Sequence, residues 1–295
     1  MSPSSDDETI VVGLIGAGIG GSFSPALHER EASLLGIDYE YRLYDLDELD
    51  RPASEVGDLV REARREGLWG LNVTHPCKQL VIPDLDELAP EAAALGAVNT
   101  VVFRAGRLVG HNTDGNGFRE AFERRLSGVR TGHVVLMGAG GAGAAVGHAI
   151  LASGAGRLTV LDVERERAGA LADALRQRFE GRAADAADVN ALEALLSEAD
   201  GLIHATPTGM EAHPGTAVPA ELLDPRLWVA EVVYLPLETQ LLKDARERGC
   251  RTLDGGAMVA LQAAGSLELF TGTRPDRERM LNHVDELVAE TVEAA

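Results

Sequence analysis

Cysteine is almost missing from this chain. Cys77 and Cys250 are the only two in 295 residues, which excludes a disulfide framework and a cysteine-rich metal site. Positive charge is also short, with 27 Lys and Arg against 47 Asp and Glu and a formal net charge of -20. Nucleic acid and anionic membrane reward clustered cations, so neither is expected as a main partner. No apolar run approaches the roughly 18 residues that a membrane-spanning helix needs. The opening Met1–Glu8 is polar and acidic, the opposite of a signal peptide, so a reduced, cytoplasmic protein is expected. Among the eight histidines, His75, His111, His204 and His213 are scattered and no metal-binding spacing recurs, so no metal is expected.

What is present is ample material for a core. Hydrophobic residues make up 45% of the chain, and its length suits one large or two ordinary domains. Strand-like and helix-like segments alternate. Strands are expected at 10–15, 39–44, 68–73, 133–137, 158–161, 202–205, 228–233 and 251–253. Helices are expected at 25–35, 56–65, 86–95, 142–152, 165–179 and 240–248, and again from Met258 onward. Val98–Phe103 and Leu108–Val109 read as a hairpin across Ala105-Gly106. The order implies an α/β fold with mostly parallel sheets and helical crossovers. Two domains are expected, with a first boundary near Asp114 to Gly117: residues 1–114 with 256–295, and residues 115–255, with a cleft between them.

One loop carries a specific signal. Gly138-Ala139-Gly140-Gly141-Ala142-Gly143 follows a Val-Val-Leu-Met strand and opens an Ala-rich helix. Glycines let the backbone turn tightly against a pyrophosphate, whose charge the helix N-terminus favours. Asp162 ends the next strand, where a ribose-binding acid belongs. A carboxylate there accepts from both ribose hydroxyls of NAD and repels the extra phosphate of NADP, and Val163 adds no compensating charge. NAD is therefore expected over NADP, although Arg165 and Arg167 lie close enough in sequence to approach a phosphate. The competing reading of Asp162 is a helix N-cap before Glu164.

A second glycine run, Gly16 to Gly21, is read differently. No acid is expected to end a strand at a spacing that would complete a nucleotide site, and Ser22-Phe23-Ser24-Pro25 follows at once. Two hydroxyls and backbone amides at a helix start can hold a carboxylate without an arginine; the alternative is a capping Ser24 before Pro25. Two further turns concentrate amide, hydroxyl and charged groups: Asn72 to Lys78, and, after Asn99, Asn112 to Gly115. Lys78 and Asp114 have the character of an ion pair that moves a proton. Taken singly, Lys78 reads equally well as a solvated helix-start lysine, and Asp114 as an N-cap.

In this order the motifs resemble the shikimate dehydrogenase family, in particular its NAD-dependent quinate/shikimate dehydrogenase branch, over nearly the whole chain. Ser22 to Pro25 is similar to the family's Ser-x-Ser-Pro, Asn72 to Lys78 to its Asn-Val-Thr-x-Pro-x-Lys, and Gly96 to Thr100 to its Gly-Ala-Val-Asn-Thr. Asn112 to Gly115, Gly138 to Gly143, Tyr234-Leu235-Pro236 and the Gly255 to Gln262 segment also fit. The resemblance implies a substrate domain joined to a Rossmann-type NAD domain. The implied reaction is reversible oxidation of a ring hydroxyl of a hydroxylated cyclic carboxylate, quinate or shikimate. It implies Lys78 as the acid/base group with Asp114, and Ser22 and Ser24 on the substrate carboxylate. Asn72, Thr74, Asn99, Tyr234 and Gln262 would stand around the ring. The cofactor would lie on Gly138, Ala139, Gly140, Gly141, Ala142 and Gly143, with Asp162 and Val163 at the ribose. Thr206, Pro207, Met210, Val232 and Gly255 would line the rest of its groove.

The chain departs from the family at Asp162-Val163-Glu164, where NADP-using members carry an Asn-Arg-Thr-like segment. It departs also at His204, where Asn is common, and at Gly20-Gly21, where His-Ser is usual. Two other readings stand beside the main one: an NADP-dependent biosynthetic shikimate dehydrogenase, and a nucleotide-sensing binding protein of the same fold. A homodimer is compatible with the sequence, which does not decide between quinate and shikimate.

Overall fold

The computed structural model describes residues 9–294; the acidic opening Met1–Glu8 lies outside them. The chain divides into two compact units. One runs up to Thr113 and resumes at Gln262, and the other is Asp114–Leu261.

The first unit begins with β1 (Ile10–Gly16), α1 (Ser24–Leu34), β2 (Tyr39–Asp45), α2 (Val56–Arg65) and β3 (Gly70–Val73). It continues through β4 (Glu87–Leu88), α3 (Pro90–Leu95), β5 (Thr100–Arg104) and β6 (Arg107–His111). Its sheet has the order β2-β1-β3-β5-β6-β4. β1 is parallel to β2 and β3, β4 is parallel to β6, and β5 runs antiparallel to both neighbours. The continuous apolar run of β1 is what a strand covered on both faces requires. α2 buries Val56, Leu59, Val60 and Ala63 at helical spacing, while Arg61, Arg64 and Arg65 face out. The expected hairpin forms, with Ala105 and Gly106 both at positive φ (49° and 79°), the two-residue turn that matches strand twist.

One expectation in this unit is corrected. Residues 86–95 are not all helix. Pro90 lacks an N–H and cannot sit inside a helix, so α3 starts there. Asp86 instead binds Leu108 in both directions, and β4 joins the sheet edge beside β6.

The second unit contains α4 (Asp114–Arg125), β7 (His133–Met137), α5 (Gly141–Ala152), β8 (Arg157–Leu161), α6 (Arg165–Arg178) and β9 (Ala183–Ala187). It goes on through α7 (Leu192–Glu198), β10 (Gly201–His204), β11 (Trp228–Glu231), α8 (Gln240–Glu247) and β12 (Arg251–Leu253). All six strands of its sheet are parallel, in the order β12-β11-β10-β7-β8-β9. That is the doubly wound Rossmann order, with the reversal between β7 and β10. Its inner strands are buried and mostly apolar, as parallel strands with helices on both faces must be, with Thr159, His204 and Glu231 as buried polar exceptions. β9 and α7 were not expected. The strand's Ala-Ala-Asp-Ala-Ala carries no β-branched or aromatic residue, so only its pairing with β8 makes it a strand.

α9 (Gly255–Thr271) contains the division between the units, and α10 (Arg277–Ala294) follows. In the first unit α10 is stapled to α1 by the buried Glu31, which accepts from the Arg279 guanidinium and from the Asp276 backbone N–H. Among the described residues no helix is long and apolar enough to cross a membrane.

Candidate active site

In the first unit the polar motifs meet at one end of the sheet. β1 and β3 are parallel, so the loops that leave them lie side by side. Thr74 N–H donates to Ile15 O, and Ala17 N–H donates to His75 O. A Cβ on Gly16 would stand 2.3 Å from Thr74 Cγ2, a close approach that only glycine allows. β5 runs antiparallel with Thr100 opposite Asn72, and β6 ends with His111 opposite Thr100. Segments distant in sequence are thereby brought to the carboxyl ends of β1 and β3, where ligands of open α/β sheets bind.

A buried hydrogen-bond network fixes the side chains there. Tyr41 O–H donates to Asn72 Oδ1 at 2.8 Å. Asn72 Nδ2 donates to Thr100 Oγ1 (3.0 Å) and to Asn99 O (3.3 Å). Asn99 Oδ1 accepts from Thr113 N–H at 2.8 Å, and its Nδ2 donates to Thr113 Oγ1 at 2.9 Å. Asn112 Nδ2 donates to Ala97 O. Asn72 thus commits both amide hydrogens inside the protein, leaving Oδ1 as the atom it can still offer.

Thr74 and Lys78 are half-buried in the turns after β3. Lys78 O accepts from Val98 N–H at 2.8 Å, which ties the lysine turn to the Gly96–Thr100 segment. Cys77 beside it is fully buried, and burial pushes its thiol up to about 11. Ser24 is the first residue of α1, but it does not cap the helix through its side chain. Ser22 Oγ accepts from Ser24 N–H at 3.2 Å, so the two serines form one turn. Gln262 lies on α9, one turn before Ser266, whose hydroxyl meets His28 Nε2 at 3.2 Å.

Asp114 and Tyr234 belong to the second unit. Asp114 is the buried first residue of α4.

One reading of the first glycine run is overturned. An acid does end a strand after it: β2 closes on Asp45, whose buried carboxylate accepts from Gly18 N–H (3.0 Å) and Ile19 N–H (2.7 Å). The carboxylate is spent on the loop itself, so it shapes the turn before Ser22.

In the second unit the glycine loop leaves β7 and enters α5, with Gly140 as N-cap. A Cβ on Gly143 would come within 2.0 Å of Gly138 O, so the turn is as tight as a pyrophosphate cradle requires. Ala139 N–H donates to Asp162 Oδ2 at 2.8 Å, and Glu164 N–H donates to Asp162 Oδ1 at 2.9 Å. The N-cap of α6 is Glu164, so Asp162 ties the glycine loop to the residue that opens the helix. Val163 is 89% exposed. Thr206, Pro207 and Met210 lie in the loop after β10, and Val232 follows β11. A Cβ on Gly255 would lie 2.6 Å from Val232 O. All the expected cofactor residues therefore fall at the carboxyl edge of the Rossmann sheet. Among the described residues no cluster of His, Cys, Asp and Glu suits a metal ion.

Sequence reasoning missed Tyr41, Thr100, Thr113 and Glu231. Asp45 was within reach, since it lies 27 residues beyond Gly18, much as Asp162 lies 23 beyond Ala139.

A Rossmann sheet with an intact glycine loop, next in sequence to an α/β unit carrying a polar constellation, defines an oxidoreductase that works with a pyridine nucleotide. Comparison with known proteins narrows the class. Residues 14–101 match the shikimate dehydrogenase substrate binding domain, and residues 134–212 match the saccharopine dehydrogenase NADP binding domain. Shikimate dehydrogenase (NADP(+)) of Streptomyces avermitilis is 61% identical over 281 residues, covering 95% of this chain and 96% of that protein. Quinate/shikimate dehydrogenase (NAD(+)) of Corynebacterium efficiens is 46% identical over 274 residues, covering 92% and 96%. Quinate dehydrogenase from Corynebacterium glutamicum, solved in complex with NAD, superposes with a TM-score of 0.87 at 45% identity, covering 94% of this chain and 98% of that one. The chain belongs to the shikimate dehydrogenase family.

Proposed function

We propose that this protein catalyses reversible, NAD-dependent oxidation of a ring hydroxyl of quinate or shikimate, with Lys78 as the acid/base group and Asp114 as its partner. The observation that carries the reading is the meeting of the Ser22–Ser24 turn, the Asn72–Lys78 turn and the Asn99 segment at one sheet end. Ser22 and Ser24 would hold the carboxylate. Asn72, Thr74, Asn99, Gln262 and Tyr234 would fix the ring hydroxyls, with Asn72 restricted to accepting. The relatives named above act on these acids, which supports the same substrate class here.

Lys78 has a chemical reason to be lysine. Lys78 and Lys243 are the chain's only lysines; every other fixed side-chain cation is arginine. Arginine does not deprotonate, whereas an amine can both take and return a proton. The nicotinamide, when bound, accepts the hydride. As that hydride leaves carbon, the hydroxyl proton passes to the Lys78 amine and the carbonyl forms; the reverse transfer reduces the ketone. Lys78→Ala is expected to lower turnover by about 10²–10⁴-fold while NAD still binds. Full activity in that variant would sink the mechanism.

Asp162 supports NAD. Its carboxylate, bound to the glycine loop, would repel a 2′-phosphate on a ribose held there, Val163 brings no charge, and Arg167 is paired with Glu164 at 3.0 Å. A second reading, NADP as cofactor, draws on the 61% identical relative, which is named for NADP(+). Rates with the two cofactors decide between them.

A further inference from the structure

We infer that His204 and Glu231 are a buried positioning pair that orients Thr206 and so shapes the loop presented to the dinucleotide. The inference rests on the proposal that the cofactor lies along the carboxyl edge of the Rossmann sheet. His204 and Glu231 are the last residues of β10 and β11 and face each other in register. Their side chains are 1% and 0% exposed, and His204 Nδ1 lies 2.9 Å from Glu231 Oε1 and 3.1 Å from Oε2. The carboxylate also accepts from Val233 N–H (3.1 Å) and from the Thr239 hydroxyl (3.2 Å), and Thr239 is the N-cap of α8. Glu231 thus holds the exits of two strands and the start of a helix.

The proton follows from this. An ionised carboxylate only accepts, so the ring must offer it Nδ1–H. In the neutral ring Nε2 then becomes an acceptor, and the Thr206 hydroxyl, 2.5 Å away, donates into it. With its own proton committed, Thr206 Oγ1 is left to accept, which it does from Thr208 N–H at 3.3 Å, closing the turn. That turn leans on the phosphate loop. Ala205 N–H donates to Met137 O, and a Cβ on Gly138 would lie 2.5 Å from Ala205 O and 3.2 Å from Thr206 Cγ2. A merely space-filling role would be served as well by an apolar pair, because a buried carboxylate and the ring hydrogen-bonded to it must overcome the desolvation of their polar groups. Orientation of Thr206 is what the polar chain adds. His204 sits at the point of departure from the family's common asparagine, and here it has a defined function.

The test uses the full-length protein with NAD as probe. Thr206→Val and His204→Leu are expected to raise the Kd and KM for NAD about tenfold, the effect of one lost hydrogen bond. The KM for shikimate or quinate should stay within about twofold, and Thr206→Ser should restore NAD affinity. If His204→Leu fails to fold, Thr206→Val carries the test alone. The imidazole nitrogen spectrum of the wild type at neutral pH should show Nδ1 protonated and Nε2 unprotonated. An unchanged NAD Kd in folded Thr206→Val, or a protonated Nε2, overturns the inference. A wild type that binds neither NAD nor NADP defeats the functional reading instead, while the nitrogen spectrum still judges the pair.

Discussion

Replacing Asp162 by asparagine alters one atom and reverses the polarity of half a carboxylate. In the wild type each oxygen already accepts one backbone N–H, from Ala139 at 2.8 Å and from Glu164 at 2.9 Å. Each retains a further lone-pair direction for a ribose hydroxyl. Asparagine offers a single oxygen, so its NH2 must confront one of those two backbone donors. The loop loses one internal bond, about 1 kcal/mol. Toward the ribose, two charge-assisted bonds become one neutral bond. At about 1.5–3 kcal/mol for a hydrogen bond to a charged group, and with Asp162 partly exposed, a net loss of about 2–3 kcal/mol is expected. That corresponds to an increase of about 30- to 150-fold in the KM for NAD. NADP should gain, because the carboxylate no longer repels its phosphate. Steady-state kinetics with each cofactor at saturating substrate measure both changes. A KM for NAD within about twofold of wild type, with an unmoved NAD to NADP ratio, would refute the ribose role of Asp162.

His28 makes stability depend on pH. The fully buried ring meets the Tyr39 hydroxyl and the Ser266 hydroxyl, and burial lowers its pKa from 6.5 to about 3. The unfolded ring takes a proton below about 6.5 that the folded ring refuses until about 3. Stability is therefore full above that window and falls through it by about 1.4 kcal/mol per pH unit. Denaturant titrations at several pH values should show a shallower acid dependence in His28→Gln, and equal slopes would contradict the assignment. Both thiols should resist modification: Cys77 and Cys250 are buried, and burial raises both pKa values. A thiol reagent at pH 8 is expected to label neither in the folded protein and both in denaturant, whereas rapid labelling of native Cys77 would contradict its burial.

Much of the fold was written locally. β1 and β7 are built on apolar runs, α2 shows its buried face at i, i+3 and i+4, and the Ala105-Gly106 turn announces the hairpin. What escaped depends on partners distant in sequence. β9 is a strand only because β8 lies beside it, and β4 because β6 does. The same holds for the site. Asn72, Asn99 and Lys78 could be singled out by residue type and motif, but the commitment of Asn72 to Tyr41 and Thr100 requires four strands, β2, β1, β3 and β5, to be in register. The role of His204 depends on Glu231, 27 residues away in sequence and opposite it in the sheet. Asp45 was misjudged because one spacing was asked to separate two uses of a strand-ending carboxylate, shaping a loop and binding a ribose.

Initial-rate assays of the purified protein that cross quinate and shikimate with NAD and NADP test the proposed reaction most directly. Turnover with NAD on one or both acids is expected, at a higher kcat/KM than with NADP. Turnover with NADP alone would contradict the role given to Asp162 while leaving the Lys78 chemistry standing. No turnover in any of the four combinations would contradict the proposed reaction itself.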